Sequence, residues 1–148
     1  MSESTPLTEA DVRAFVDDWY LDKLDSHAPT DVIAAMVMDD VEFVLPETTF
    51  RGRDNFRAWC ERIYNTFFDE VHTIEELSVT PHSDRADVKV HVNWQARVWQ
   101  PPAAKSKWLG FDAYQTWEVR RSPETGRPAV QRYVVDRFEP MPGSSSLE

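Results

Sequence analysis

The chain changes character near residue 71, from apolar residues at helical spacing to a strict alternation of apolar and polar ones. In the first part Val12, Phe15, Val16 and Trp19 share one helix face, behind a Thr8 whose followers Glu9 and Asp11 suit a helix start. This predicts a first helix from Thr8 to about Asp25. Asp25, Ser26, His27, Ala28 and Pro29 are turn-forming, and Thr30 opens a short second helix through Val32, Ile33, Met36 and Val37, closed by Asp39 and Asp40. Val41–Leu45 reads as a strand stopped by Pro46. Arg51, Gly52 and Arg53 then lead to a third helix capped by Asp54, with Phe56, Trp59, Cys60, Ile63 and Phe67 on its buried stripe.

In the second part the alternation predicts strands at 72–80, 86–99, 109–120 and 129–138, joined by turns rich in Pro, Ser, Asp and Gly. Helices first and an antiparallel meander afterwards define an α+β domain: three N-terminal helices packed on a curved, mostly antiparallel sheet, a cone-shaped barrel with room for a cavity. The long strand divides into Val88, Val90, Val92, Trp94, Ala96 and Val98 on one face and Lys89, His91, Asn93, Gln95, Arg97 and Trp99 on the other. Two assignments stand open. Either the valine row packs on the helices and the polar row meets water, or the polar row lines the cavity mouth and the valine row joins two subunits.

Length and composition narrow the function. The 148 residues fit one domain over 1–142, with 143–148 as a disordered tail of the kind a cloning scar leaves. A net charge of −10 argues against nucleic acid and anionic membrane partners. The single Cys60 forms no internal disulfide, no secretory signal pattern is seen at the start, and no apolar run approaches the ~20 residues of a membrane span, so a cytoplasmic protein is expected. Six Trp among 12% aromatics, with only four Gly, favour an apolar cavity that takes a small apolar organic molecule. Gly-rich phosphate loops, metal-ligand spacings and nucleophile elbows are missing from the sequence, so no metal or other cofactor is expected, and Cys60 reads as a packing thiol.

Four passages carry a resemblance. Met36 through Phe43, with its Asp39, Asp40, Val41 core, and Phe50 through Asp54 resemble the helix-to-strand and strand-to-helix passages of the nuclear transport factor 2-like superfamily, over residues 8–138. Within it, Trp19 through Ser26 and Val71, His72, Thr73 resemble the SnoaL-like branch, which includes scytalone dehydratase and hexachlorocyclohexane dehydrochlorinase. The resemblance implies that Asp25 orients His72 and that His72 moves a substrate proton, with Asp22 as an alternative partner. A regular helix running past Asp25 puts Lys23, not Asp25, on the Val12 and Trp19 stripe, so the pairing requires the helix to end first.

Around this pair Trp19, Tyr20 and Lys23 are candidate substrate contacts, with Phe43 and Trp59 as apolar walls and Tyr114 and Tyr133 as hydroxyl donors. His91 and Asn93 join them if the polar row faces inward, and Arg97 then stands at the end of that row. The expected activity is proton transfer without a cofactor: a lyase such as a dehydratase, an isomerase or a polyketide cyclase, acting on a cyclic or aromatic substrate. Leu45 stands where ketosteroid isomerase-like members place their Asp, and His91, Asn93 and Val135 stand at the positions of the epoxide hydrolase-like triad, which disfavours both chemistries. The alternatives are a non-catalytic subunit similar to a ring-hydroxylating dioxygenase beta subunit, or a ligand-binding dimer. A homodimer or larger homo-oligomer through the back of the sheet is expected in each case.

Overall fold

The computed structural model describes residues 5–146. Thr8 caps α1 (Glu9–Asp17) through a reciprocal box with Asp11, each side chain taking the other's backbone N–H. The helix does not stop there. It widens into a π-helical stretch over Asp18–Leu24, and a turn then leads to α2 (Thr30–Ala34). Next come β1 (Val37–Val44), β2 (Thr49–Arg51), α3 (Arg53–Thr66) and four long strands: β3 (Phe68–Pro81), β4 (Ala86–Val98), β5 (Lys107–Arg121) and β6 (Pro128–Pro140).

The second helix is shorter than its apolar pattern suggests, because β-branched Val37 is claimed by the sheet. Val37 is fully buried and aligned with Val130, and Val130 N–H donates to the Met36 carbonyl at 2.8 Å. Asp39 and Asp40 therefore do not end a helix. They are exposed strand residues at a break in the β1–β6 register. The three-residue β2, too short to show any period, folds back on β1 across Pro46 and Glu47. Trp99 falls outside β4, where its indole N–H donates to the Ala103 carbonyl at 2.6 Å.

The sheet runs β2-β1-β6-β5-β4-β3, antiparallel throughout except for the β1–β6 pair, and it curves without closing. β3 is one open edge, and its pairing with β4 is interrupted twice, between Phe68 and Val71 and between Ile74 and Glu76. The valine row of β4 settles the open question of facing. Val88, Val90 and Val92 are buried in the core cluster under the helices, so they form no subunit interface, and the polar row lies on the outer face. Residues 143–146 run back along β5: Ser144 Oγ accepts from Gly110 N–H and Ser145 N–H donates to the Trp108 carbonyl, both at 3.0 Å. Leu147 and Glu148 lie outside the described residues. No helix among the described residues is long and apolar enough to cross a membrane.

Aromatic rings fill much of the core between the sheet and the helices. Fully buried Phe43 stacks on Tyr133 at 4.7 Å and on Phe50 and Phe56 at 5.0 Å between centroids, and Trp19 packs edge-on to Trp117 at 5.5 Å. Because Phe43 bridges β1, β6 and α3, Phe43→Ala is expected to lower unfolding free energy by about 3–5 kcal/mol, measured by chemical denaturation.

Candidate active site

The site begins where α1 changes its hydrogen-bond step. In the π-helical stretch each N–H reaches the carbonyl five residues back, as Asp25 N–H does to Tyr20 at 3.0 Å. Each turn then holds more residues than an α-turn, so Tyr20 and Asp25 come onto one face with Trp19 and Leu24 beside them. The sequence requirement that the helix end before Asp25 is thus met in another way: the helix widens. Lys23, which a regular helix would bury on the stripe, is turned aside and pairs with Asp18 at 2.9 Å and Asp22 at 2.6 Å. Neither Lys23 nor Asp22 takes part in the site.

Asp25 faces the start of β3. Its two carboxylate oxygens accept the His72 backbone N–H at 3.1 and 3.0 Å, and Oδ1 lies 2.5 Å from His72 Nδ1. An ionised carboxylate only accepts, so Nδ1 carries the proton toward Asp25 and Nε2 is the nitrogen left for other partners. The imidazole packs on the Tyr20 ring, 4.7 Å between centroids, and lines a cavity of about 610 Å³ between the sheet and the helices. That volume suits a ring compound of modest size.

The cavity walls are aromatic, with Trp59, Phe67, Trp94 and Phe138 among them, and the polar groups are few. Tyr20 O–H donates to Gln115 Oε1 at 2.6 Å, and Trp117 Nε1 donates to the same oxygen at 2.9 Å. Since Tyr20 has one proton to give, Tyr133 O–H is the donor in the 2.9 Å contact between the two hydroxyls. Burial holds both phenols in the neutral form: Tyr20 is pushed well above its ordinary range, and Tyr133 is pushed up to about 12.

Glu70 escaped the sequence reading. It stands two residues before His72, its side chain is 3% exposed, and it lines the same cavity. His27 Nε2 and Trp94 Nε1 hold its two oxygens, the latter at 3.0 Å. His27 has a left-handed backbone, φ +52°, and its ring stacks on Tyr64 at 4.3 Å. The alternation along β3 puts Glu70 and His72 on one face, and that was the signal available. A glutamate on an acidic chain did not distinguish itself from the solvated ones.

Of the other residues singled out from sequence, Tyr20, Trp59 and Tyr133 line the cavity. Trp19 and Phe43 lie deeper, as fully buried core residues. His91, Asn93 and Tyr114 are not in the cavity, because strand parity turns them to the outer face. There His91 Nε2 and Asn93 Nδ2 both meet Asp112 Oδ1, at 2.9 and 3.2 Å, while Tyr114 is sandwiched between His91 and Arg137. The His91 hydrogen bond is the main cause of a lowered Asp112 pKa. Arg97 shares that outer face and donates to Ser106 Oγ at 3.2 Å. Cys60 is buried, which pushes its thiol up to about 12 and leaves it in the unreactive form.

This frame of helices and sheet, with a carboxylate and an imidazole at the cavity, defines an α+β cone with a buried polar site, and the sequence matches the SnoaL-like domain family over residues 7–138. The chain belongs to that family. Among solved structures it is similar to a protein named for an aromatic ring hydroxylase from Novosphingobium aromaticivorans, with a TM-score of 0.75 and 15% identity over 89% of this chain and 92% of that one. It is also similar to one named for scytalone dehydratase from the same organism, with a TM-score of 0.69 and 17% identity over 93% and 91%. A hexachlorocyclohexane dehydrochlorinase of type 2 gives a TM-score of 0.69 and 16% identity over 95% and 98%. At such identities the likeness is one of fold. No curated protein matches the chain.

The raised Tyr133 pKa fixes the sign of a pH effect. In the unfolded chain tyrosine ionises near its ordinary 10.0, whereas the folded site holds its proton to about 12. The contribution of Tyr133 to stability is therefore fully present below pH 10 and is lost as pH rises from there toward about 12. Denaturation midpoints at rising alkaline pH are expected to fall, and to fall less in Tyr133→Phe.

Proposed function

We propose that this chain is an enzyme that needs no cofactor and moves a proton on a cyclic or aromatic small molecule held in the cavity, with His72 as the base and Asp25 as its partner. The observation that carries the reading is the 2.5 Å contact between His72 Nδ1 and Asp25 Oδ1, on a histidine that lines a largely apolar cavity. Asp25 fixes the tautomer and stabilises the imidazolium that forms when Nε2 takes a proton.

Elimination of water is the reaction best supported. Two of the similar structures bear names of elimination enzymes, a dehydratase and a dehydrochlorinase. No Lys or Arg stands among the described residues lining the cavity, so the charge available to a leaving group is that of the His72 imidazolium, whose proton neutralises a departing hydroxyl. In the step proposed, His72 Nε2 removes a proton from carbon and the freed electron pair forms the double bond. The adjacent C–O bond breaks, and the same proton returns to the hydroxyl as water. Isomerisation and cyclisation begin with the same proton transfer. Tyr133 lines the cavity as a neutral hydroxyl whose proton is given to Tyr20, so its oxygen is left to accept a hydrogen bond from the substrate.

A β-hydroxy ketone of suitable size tests the reading: 3-hydroxy-1-tetralone loses water to give fluorescent 1-naphthol. The wild type is expected to release it, with the rate reduced by about 100-fold or more in His72→Gln and also reduced in Asp25→Asn. Equal rates in the wild type and His72→Gln would discard the proposal. The similarity to a protein named for a ring hydroxylase favours a second reading, a non-catalytic partner of an oxygenase. Co-purification of a larger iron-containing subunit would select it.

A further inference from the structure

Two carboxylate–imidazole pairs lie side by side between the turn after the π-helical stretch and the start of β3. One joins Asp25 to His72 and the other joins His27 to Glu70, so the partners are two residues apart on both segments. The pairs have opposite polarity. His72 lines the cavity and Asp25 lines an outer cleft behind it, whereas Glu70 stands between the two and lines both, with His27 on the cleft side. The cavity is thus offered an imidazole by one pair and a carboxylate by the other.

A carboxylate in an aromatic wall loses its hydration, and packing alone does not call for it. Its two donors, His27 Nε2 and Trp94 Nε1, fix its position without using its capacity, since a carboxylate has about four acceptor sites. What remains is open to a donor in the cavity that Glu70 lines. The only other charged carboxylate among the described lining residues is Glu47, at the β1–β2 lip, and no Lys or Arg stands against either. Any positive charge on His72 is balanced by Asp25.

We propose that Glu70 is the residue that selects the substrate: it accepts an O–H or N–H from an uncharged or cationic ring compound, and the cavity excludes organic carboxylates. This rests on reading the cavity as the substrate site. It does not depend on which reaction follows.

Calorimetric titration of the whole chain with four probes of one shape tests it: 2-naphthalenemethanol, 2-naphthylmethylammonium, 2-naphthoate and 2-methylnaphthalene. The alcohol and the ammonium are expected to bind at least tenfold more tightly than naphthoate. In Glu70→Gln the preference for ammonium over naphthoate should shrink at least tenfold, while 2-methylnaphthalene binds within twofold of the wild type, which shows the cavity intact. Naphthoate binding as tightly as the ammonium in the wild type overturns the proposal without need of any variant. So does a preference that survives Glu70→Gln with 2-methylnaphthalene binding unchanged. Failure of all four probes to bind overturns the reading of the cavity itself, and the inference with it.

Discussion

A helix that changes from a four-residue to a five-residue hydrogen-bond step turns every later side chain back around its axis, and the site depends on that change. Without it Lys23 would enter the core beneath Val12 and Trp19, and Asp25 would point away from β3. With it Tyr20 and Asp25 stand on one face, so that one packs on the His72 ring while the other binds its backbone and its Nδ1. A π-helical turn is a rare departure from the α-helix, and here it goes with the burial of Trp19, Tyr20 and Leu24.

The polar groups around the cavity are organised from the wall inward. Gln115 Oε1 accepts hydrogen bonds from Tyr20 and Trp117, and Tyr20 in turn accepts from Tyr133, so a chain of neutral donors runs across three elements of the fold. Each member fixes the rotor of the next, which sets the site before any ligand arrives. The two carboxylates, by contrast, are held by a separate set of donors, the His72 backbone and ring in one case and His27 and Trp94 in the other. The charged pairs and the neutral donors therefore rest on separate supports.

Much of this was legible in the sequence. Alternation in the second part located all four long strands, and the Asp25 and His72 passages named two residues that the structure brings into contact. The parity of β4 left two assignments open, because alternation tells which residues share a face and not which face the helices cover. His91, Asn93 and Tyr114 were candidates for the cavity on that account, and they lie outside it. The early end of α2 was hidden by apolar residues that suit either a helix or a strand, and the pairing of Val37 with Val130 decides between them only at long range. Glu70 and His27 were missed for a related reason: their value comes from facing each other across 43 residues, in a bond that neither local pattern announces.

An open sheet has edges, and β3 is a long one. An unpaired strand invites a second chain to add itself by backbone hydrogen bonds, which is how soluble sheets begin to aggregate. The two breaks in the β3 register interrupt the even ladder such an addition would need, and Glu75 and Glu76, exposed at the second break, add like charge against a copy of the same edge. The first break lies directly beside Glu70 and His72. The irregularity at the start of the cavity-lining strand thus also protects the protein in solution, and straightening it to stabilise the sheet would carry a colloidal penalty.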